Sequence, residues 1–315
     1  MDSGAAQRAE TEPGFITGDW GTSRLRLFLC SAEGALLDTA EGPGAVEAHG
    51  RHAAVFETLL ARWAPRCGEL PAVLCGMVGS NIGWSEARYL PCAAKPDQIA
   101  EACVALQEGR IRIIPGLSCR NRYAAPDFMR GEETQILGAL ILVPALARGR
   151  HLLCLPGTHT KWVWLEDGAV VDFLTAPVGE IFALLAQHSV LVRDRDPEQC
   201  VAGEWFANGL QAFARLPGAP LLHRLFECRS RRLNGEFTAQ QSAAYLSGLL
   251  IASDVSGALH AFSDPTARRT VNLIGAPQLT DLYAIALGAQ GGTTTFVDGT
   301  AAAVAGLAHV HRLLA

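Results

Sequence analysis

The stretch GDWGTSRLRLFL, residues 18–29, decides the fold class. An apolar strand ends at Asp19, a turn with one glycine and two small hydroxyl residues follows, and an alternating strand comes next. Glycine lets a backbone turn approach a ligand, and amide groups exposed in a turn bind anions. We therefore predict a hairpin at which Gly21, Thr22 and Ser23 hold a phosphate group. An ordinary hairpin with a turn acid is the alternative.

A second stretch of the same form lies in the middle of the chain. In HLLCLPGTHTKWVWLEDGAVVDFLT, residues 151–175, a strand enters a glycine turn, and two further strands are joined by a D-G turn. The repeat is one of form and hardly of residue identity, which favours two lobes of similar topology with a cleft between them. The candidate phosphate-binding residues of this second turn are Gly157, Thr158, His159, Thr160 and Lys161.

Strands and helices alternate along the chain, which predicts α/β layers. Helical spacing covers residues 50–63, an apolar strand precedes a glycine-rich loop at 76–92, and the stretch DQIAEACVAL (97–106) predicts a helix. Further helices are predicted over residues 177–192, 201–215, 240–260 and 277–290, and a C-terminal helix is predicted to begin at Asp298 or Thr300.

Acidic residues at two places are candidates for chemistry. Glu132 and Glu133 begin a predicted helix, where the helix dipole alone could explain them, but a carboxylate held there also suits a general base. Asp19 ends a strand and suits a hydrated magnesium ion, with hydrogen bonds to turn amides as the alternative. Arg130 could meet an acidic substrate group. The late turn at Gly275 could accommodate a base or ribose, or be a plain strand-to-helix turn.

Composition excludes several classes of function. The 315 residues predict two domains, and 49% hydrophobic with 18% charged residues indicates a globular chain. A net charge of −5 argues against nucleic acid as a partner. The nine cysteines form no C-x-x-C pair, which predicts reduced thiols in a cytoplasm. The longest strongly apolar run, 136–147, is too short for a membrane span and contains Pro144, and residues 1–14 resemble no signal peptide.

The order of four motifs resembles that of the superfamily of acetate and sugar kinases, chaperone ATPases and actin. The motifs are D-W-G-T-S, a helix that begins with acidic residues, L-P-G-T-H-T-K and, late in the chain, L-I-G-A. Longer stretches resemble the 2-dehydro-3-deoxygalactonokinase family: GDWGTSRLR, CGMVGSNIGW, YLPC, IPGLSC, PDFMRGEETQILGA, LPGTHTKWV and VGEIFALLAQHSVL. The resemblance implies an α/β, two-lobed actin-like ATPase (ribonuclease H-like) fold, with a mixed sheet and helices in each lobe and nucleotide in the interlobe cleft.

With that fold, we expect four segments. A loose tail covers 1–14, an N-terminal lobe 15–149, and a C-terminal lobe 150–298. A C-terminal helix over 299–315 is expected to pack back on the N-terminal lobe.

The resemblance also implies an activity. The family transfers the γ-phosphoryl group of ATP to the 6-hydroxyl of 2-dehydro-3-deoxy-D-galactonate, giving the 6-phospho product, in galactonate and galactose breakdown. Glu132 falls on the catalytic acid, with Glu133 as the fallback, and Asp19 would orient Mg²⁺ through water. The two glycine turns would hold the ATP phosphates and Gly275 the adenosine. The candidate sugar-acid residues are Ser80, Trp84 and Arg130.

Three alternatives stay open. The chain could be a kinase of the same fold for a different sugar or sugar acid, a phosphatase, or a nucleotide-gated actin-like binding protein. The expected partners are ATP, Mg²⁺ and a small sugar acid, with neither nucleic acid nor membrane, in the cytoplasm. A homodimer is compatible with this interpretation.

Overall fold

The computed structural model describes residues 12–192, 202–216, 218–263 and 270–315. Most of the predicted N-terminal tail, the first residue of the helix predicted over 201–215, and Cys200 lie outside these residues. By its internal contacts the chain divides into two units. One contains residues 1–149, 165–172 and 299–315, and the other contains 150–164 and 173–298.

The first unit is built on a six-stranded sheet. Strands β1 (Pro13–Trp20), β2 (Arg24–Ser31) and β3 (Leu36–Pro43) form an antiparallel meander, and β4 (Ala72–Gly76) and β7 (Ile111–Ile113) continue it in parallel. Strand β6 (Val104–Leu106) closes the sheet at one edge, antiparallel to β7, so the order is β3-β2-β1-β4-β7-β6.

Alternation along β1 and β2 gives this sheet two buried faces. On one face Trp20, Leu25 and Leu27 pack with Phe56 of helix α1 (His52–Leu60) in the larger core. On the other face a smaller cluster joins Phe15, Phe28 and Cys30 to Ala308 of the C-terminal helix. Burial on both sides explains why β2 is continuously apolar from Leu27 to Cys30. The predicted C-terminal helix thus packs on the first unit's sheet.

Four more helices and a small sheet complete the first unit as described. The helices are α2 (Ala64–Cys67), α3 (Pro96–Glu101), α4 (Glu132–Leu142) and α11 (Gly299–Leu314). The small sheet has the order β5-β8-β9, and its strands are β5 (Leu90–Pro91), β8 (Leu117–Arg120) and β9 (Pro126–Met129).

The prediction of a single helix over 97–106 is wrong in its second half. Helix α3 ends at Glu101, and Val104–Leu106 forms strand β6 instead. β-Branched Val104 favours an extended backbone, and pairing of this segment with β7 provides the hydrogen bonds that a longer helix would have made. Tertiary pairing therefore overrides the apolar spacing that suggested a helix.

A second, five-stranded sheet, most of whose residues belong to the second unit, repeats the strand order of the first. Strands β10 (Arg150–Leu155), β11 (Thr160–Glu166) and β12 (Ala169–Ala176) are consecutive neighbours, and β13 (Thr270–Gly275) and β14 (Thr293–Asp298) lie parallel beyond β10. The order β12-β11-β10-β13-β14 corresponds to β3-β2-β1-β4-β7. Two sheets of the same topology account for the repeat of form in the sequence.

Six described helices belong to the second unit: α5 (Val178–His188), α6 (Glu204–Arg215), α7 (Leu221–Leu225), α8 (Glu227–Leu233), α9 (Ala239–Ala261) and α10 (Pro277–Ala289). Thr238 accepts a hydrogen bond from the Gln241 amide and caps α9. Among the described residues, α9 alone is long and apolar enough to cross a membrane. However, 67% of its most apolar window is buried inside the protein, as in the core helix of a globular domain.

Candidate active site

Asp19 lies at the end of β1, where three backbone segments meet. A Cβ at Gly76, the last residue of β4, would lie 2.8 Å from the Trp20 carbonyl oxygen and 3.4 Å from Asp19 Oδ1. A Cβ at Gly131, just before α4, would lie 3.5 Å from the Gly76 Cα atom. Both glycines have positive φ, +87° and +105°, which L side chains rarely adopt. The close approach brings Asp19 and the start of α4 to the same end of the sheet.

The Asp19 carboxylate is held by neighbours on two strands. Arg26 Nη2 donates to Asp19 Oδ2 at 2.5 Å, and Asp19 and Arg26 are directly paired across the hairpin. Cys75 Sγ lies 4.0 Å from the other oxygen, Oδ1. Arg26 Nη1 also donates to the hydroxyl of Thr300 at the start of α11. These contacts orient a partly exposed carboxylate toward the end of the strand.

The two glutamates at the start of α4 have different environments. Glu132 is partly exposed, and its Oε2 accepts the backbone N–H of Arg130 at 3.0 Å. Glu133 is 0% exposed, and its carboxyl accepts the Gly131 N–H and the Thr134 hydroxyl. Burial, followed by the nearby charge of Glu132, raises the pKa of Glu133 to about 8. Glu133 is therefore mostly protonated at neutral pH.

The first glycine turn is exposed, and its backbone is held by hydrogen bonds from the segment that follows β3. Thr22 and Ser23 are exposed, and the Gly21 N–H donates to the Arg24 carbonyl at 2.9 Å. The N–H groups of Ala45 and Val46 donate to the carbonyls of Gly21 and Thr22, at 2.9 and 3.3 Å. The carbonyls of the turn are thus used by the protein, while its hydroxyls face solvent.

The loop after β4 holds the three candidate sugar-acid residues in different ways. The Ser80 hydroxyl donates to the Met77 carbonyl at 2.8 Å, inside its own turn. The Trp84 ring packs 5.5 Å from the Phe56 ring, at the margin of the larger core. Arg130 Nη2 donates to the Ala87 carbonyl at 2.8 Å, and its guanidinium stacks 4.3 Å from the Tyr89 ring.

Arg130 differs from an ordinary structural arginine in one respect. Its Nε and Nη1 atoms are buried and have no hydrogen-bond partner among the described residues. Leaving buried donors of a charged group unpaired costs free energy, about 1–3 kcal/mol or more for such a group. This cation therefore suits a nearby anion, whereas the Ser80 hydroxyl and the Trp84 ring serve the packing of the loop.

In the second unit, the glycine turn after β10 is anchored at both ends. A Cβ at Gly179, near the start of α5, would lie 2.5 Å from the Gly157 carbonyl oxygen, and the Glu180 N–H donates to the Thr158 carbonyl at 3.0 Å. The His159 ring lies 2.8 Å from the Glu180 carboxylate. Gly157, Thr158 and His159 keep partial or full exposure.

Thr160 and Lys161, predicted to hold phosphate, are placed differently. They begin β11 and are only 1% and 4% exposed. The Thr160 hydroxyl lies 2.9 Å from the Tyr283 hydroxyl, and Lys161 Nζ donates to the His159 carbonyl at 3.3 Å. Gly275 lies close to this turn, since a Cβ there would be 3.7 Å from the Pro156 carbonyl oxygen. The phosphate turn and the late glycine turn are therefore neighbours within this unit.

The sequence reasoning missed several residues beside these sites. Arg26 could have been found by pairing the two strands across their short turn, which sets it opposite Asp19. Asp254 and Tyr283, which contact each other near the second turn, carry no such signal because their helices are remote in the sequence. Among the described residues, no group of three or more His, Cys, Asp or Glu side chains could hold a metal ion.

Comparisons with known proteins identify the family of the chain. A family model described as 2-keto-3-deoxy-galactonokinase matches residues 19–310. "Probable 2-dehydro-3-deoxygalactonokinase DgoK1" of Rhizobium meliloti (strain 1021) is 38% identical over 307 residues, which cover 94% of this chain and 96% of that protein. The 2-dehydro-3-deoxygalactonokinase of Escherichia coli (strain K12) is 34% identical over 303 residues, covering 96% and 98%.

Solved structures confirm the predicted actin-like ATPase fold. The crystal structure of a Sinorhizobium meliloti protein that carries the same kinase designation has a TM-score of 0.85 at 35% identity, covering 95% of this chain and 98% of that one. A Clostridium difficile activator of 2-hydroxyisocaproyl-CoA dehydratase, with bound ADPNP, shares the fold at a TM-score of 0.52 and 11% identity, covering 95% of each chain. The family match includes both glycine turns and the acid-led helix between them, and the chain belongs to the 2-keto-3-deoxy-galactonokinase family.

Proposed function

We propose that the chain transfers the γ-phosphoryl group of ATP to the 6-hydroxyl of 2-dehydro-3-deoxy-D-galactonate, giving 2-dehydro-3-deoxy-6-phospho-D-galactonate and ADP. The name of its Escherichia coli relative supports this substrate. Phosphoryl transfer requires mainly positioning and electrostatic stabilisation from the protein, with one group to accept the hydroxyl proton.

The observation that carries the proposal is the contrast between the two glutamates of α4. A general base must be ionised and must reach the substrate proton. Glu132 is accessible and oriented by the Arg130 amide, whereas Glu133 is buried with a pKa of about 8. We therefore assign the base role to Glu132. Glu133 would hold the first turn of the helix through its bonds to Gly131 and Thr134.

Nucleotide binding is assigned to the two glycine turns. Gly21, Thr22 and Ser23 present exposed hydroxyls and backbone, and Gly157, Thr158 and His159 form an exposed turn whose neighbour is Gly275, assigned to adenosine. Asp19 would hold Mg²⁺ through water. A single carboxylate, with no cluster of further acidic or imidazole ligands in the described residues, fits an ion that keeps its waters and binds phosphate oxygens. When bound, the ion neutralises phosphate charge.

The acidic end of the sugar is assigned to Arg130. Two unpaired buried nitrogens on a guanidinium favour a carboxylate as the ligand, because guanidinium and carboxylate form charge-assisted hydrogen bonds. Ser80 and Trp84 would shape the loop that surrounds this position. We further propose a cytoplasmic location, since the eight described cysteines are all free thiols. A homodimer stays a prediction.

The test is a comparison of acceptors with ATP and Mg²⁺, measured by ADP release. We expect the highest kcat/KM for 2-dehydro-3-deoxy-D-galactonate, a lower value for its gluco isomer, and negligible release without acceptor. Faster turnover of a different sugar acid would make the chain a kinase of the same fold for that acid. ADP release at the same rate with and without an acceptor would overturn the kinase assignment in favour of a nucleotide-gated protein.

A further inference from the structure

A continuous chain of hydrogen bonds runs through the second unit to the residue that follows the glycine turn. Tyr283 of α10 donates its hydroxyl to Asp254 Oδ2 at 2.7 Å, and the Trp162 ring N–H donates to Asp254 Oδ1 at 3.1 Å. The Tyr283 oxygen lies 2.9 Å from the Thr160 hydroxyl. Thr160, Trp162 and Tyr283 are at most 2% exposed, so solvent does not compete for these bonds.

The charge of Asp254 determines which group donates in each of these hydrogen bonds. Removal of the Asp254 carboxyl from water raises its pKa to about 6, so at pH 8 it is an ionised carboxylate and can only accept. Tyr283 must therefore be the donor in its hydrogen bond to Asp254. The bond between Tyr283 and Thr160 can then form only if Thr160 donates. The Thr160 hydroxyl proton is consequently unavailable to a phosphate oxygen.

This result changes the role of Thr160. The sequence predicted that the Thr160 hydroxyl binds phosphate. In the structure this hydroxyl is buried against Tyr283, whereas Gly157, Thr158 and His159 remain partly or fully exposed. The other side of the same turn is fixed by α5, through the Glu180 N–H and the close contact at Gly179. The turn is thus held between α5 on one side and Tyr283 of α10 on the other.

We propose that Tyr283 and Asp254 are positioning residues for nucleotide binding, which act through the Thr160 hydroxyl to fix the backbone of the glycine turn at 157–159. The proposal rests on the proposed function, because it takes this turn as a phosphate site. A turn whose backbone is fixed before binding presents its amide groups without an ordering cost, and nucleotide affinity depends on that preorganisation. Neither residue would contact the nucleotide itself.

A merely structural role for these residues would lower stability and leave kinetic constants alone. The test therefore compares KM for ATP, KM for the sugar acid and kcat in three variants at pH 8: Y283F, T160V and T160S. We expect Y283F and T160V each to raise KM for ATP roughly fivefold to tenfold, the range for loss of one buried hydrogen bond. KM for the sugar acid and kcat should stay within about twofold. T160S keeps the hydroxyl and should restore KM for ATP.

Two further measurements keep the test decisive. The double variant T160V/Y283F should raise KM for ATP no more than T160V alone, because Tyr283 is proposed to act on the turn only through its bond to Thr160, which T160V already removes. The increase in melting temperature on adding ATP reports binding without turnover and should fall in the same variants. Y245F is the matched control. Tyr245 is a buried tyrosine of α9 that donates to the Glu227 carboxylate, and its loss should change stability but not KM for ATP.

The outcomes separate this inference from the proposed function. An active wild-type protein whose Y283F and T160V variants keep KM for ATP within twofold overturns the positioning role alone. Additive effects in the double variant, or an equal rise of KM for ATP in Y245F, would also overturn it. A wild-type protein without acceptor-dependent turnover and without an ATP-induced rise in melting temperature would remove the proposed function itself, and the inference with it.

Discussion

Arg26 Nη2 lies 2.5 Å from Asp19 Oδ2, directly across the hairpin that carries the first glycine turn. The ion pair fixes one carboxylate oxygen and leaves Oδ1 beside the Cys75 thiol at the strand end. Replacing Asp19 by Asn removes the negative charge that would attract hydrated Mg²⁺. We expect D19N to raise the Mg²⁺ concentration for half-maximal activity about tenfold, the effect of losing one charged contact. A magnesium titration at saturating ATP and sugar acid measures this.

The matched control is a neighbouring ion pair in the same sheet, between β2 and β3. Arg24 contacts Glu41, and both side chains are more than half exposed, so this pair contributes little. E41Q should leave the magnesium titration unchanged. A titration of D19N that coincides with that of the wild type would remove Asp19 from the metal site.

A second prediction separates the two glutamates of α4. E132Q should lower kcat by at least about a hundredfold, within the usual contribution of a general base, while ATP-induced stabilisation persists. E133Q should keep kcat within about fivefold, because a neutral amide resembles the protonated carboxyl that burial favours. Steady-state kinetics of both variants measure the difference. If E133Q were inactive and E132Q were active, Glu133 and not Glu132 would be the general base.

Glu133 also predicts how stability depends on pH. Its folded pKa, about 8, exceeds its ordinary value of 4.5 because burial disfavours the charged form. The folded state therefore holds a proton that the unfolded state releases between these values. The contribution of Glu133 to the free energy of unfolding is fully present below about pH 4.5 and is lost as the pH rises through 8.

E133Q removes this proton linkage. Denaturant unfolding from pH 5 to 9 should show the wild type losing stability relative to E133Q as the pH rises, with the largest difference above pH 8. The comparison of the two proteins cancels the titration of all other groups that they share. Parallel stability profiles would contradict a raised pKa at Glu133.

Arg130 carries a prediction about substrate binding. R130M removes the buried cation, and we expect KM for the sugar acid to rise at least tenfold while KM for ATP stays within about twofold, since a carboxylate would lose a charge-assisted contact. Arg122, which pairs with Asp172 near the small sheet, provides the control variant R122M. Equal effects of R130M on both substrates would indicate a general disturbance of the loop that Arg130 holds at Ala87.

The sequence predicted what local patterns determine. The hairpin around Gly21, the acid-led α4 and the second hairpin around Gly157 follow from glycine turns, alternation and helix-start acids. Features that depend on pairing or packing with another segment, near or far in the sequence, were not predictable. The Val104–Leu106 segment became a strand because β7 pairs with it, and the Thr160 hydroxyl turned inward because Tyr283, 123 residues away, lies beside it. The difference between Glu132 and Glu133 likewise arises from burial. The sequence shows two identical adjacent residues and does not tell which of them is buried.

The contact between α4 and α11 depends on two glycines. A Cβ at Gly138 would lie 1.7 Å from the Ala302 carbonyl oxygen, and one at Gly306 would lie 2.0 Å from the Thr134 carbonyl oxygen. The helices must separate to admit a methyl group, so G138A should destabilise the first unit by about 3 kcal/mol or more. Because α4 carries Glu132, activity should fall at temperatures where the wild type is stable.

G257A is the control for the alanine itself. Gly257 lies within α9, and a Cβ there would meet nothing within 4 Å. In an open helix interior, alanine is favoured over glycine by roughly 0.5–1 kcal/mol, so G257A should be neutral or slightly stabilising. Denaturant unfolding of both variants measures the contrast. If G138A were as stable as G257A, the α4–α11 contact could not be as close as the structure describes.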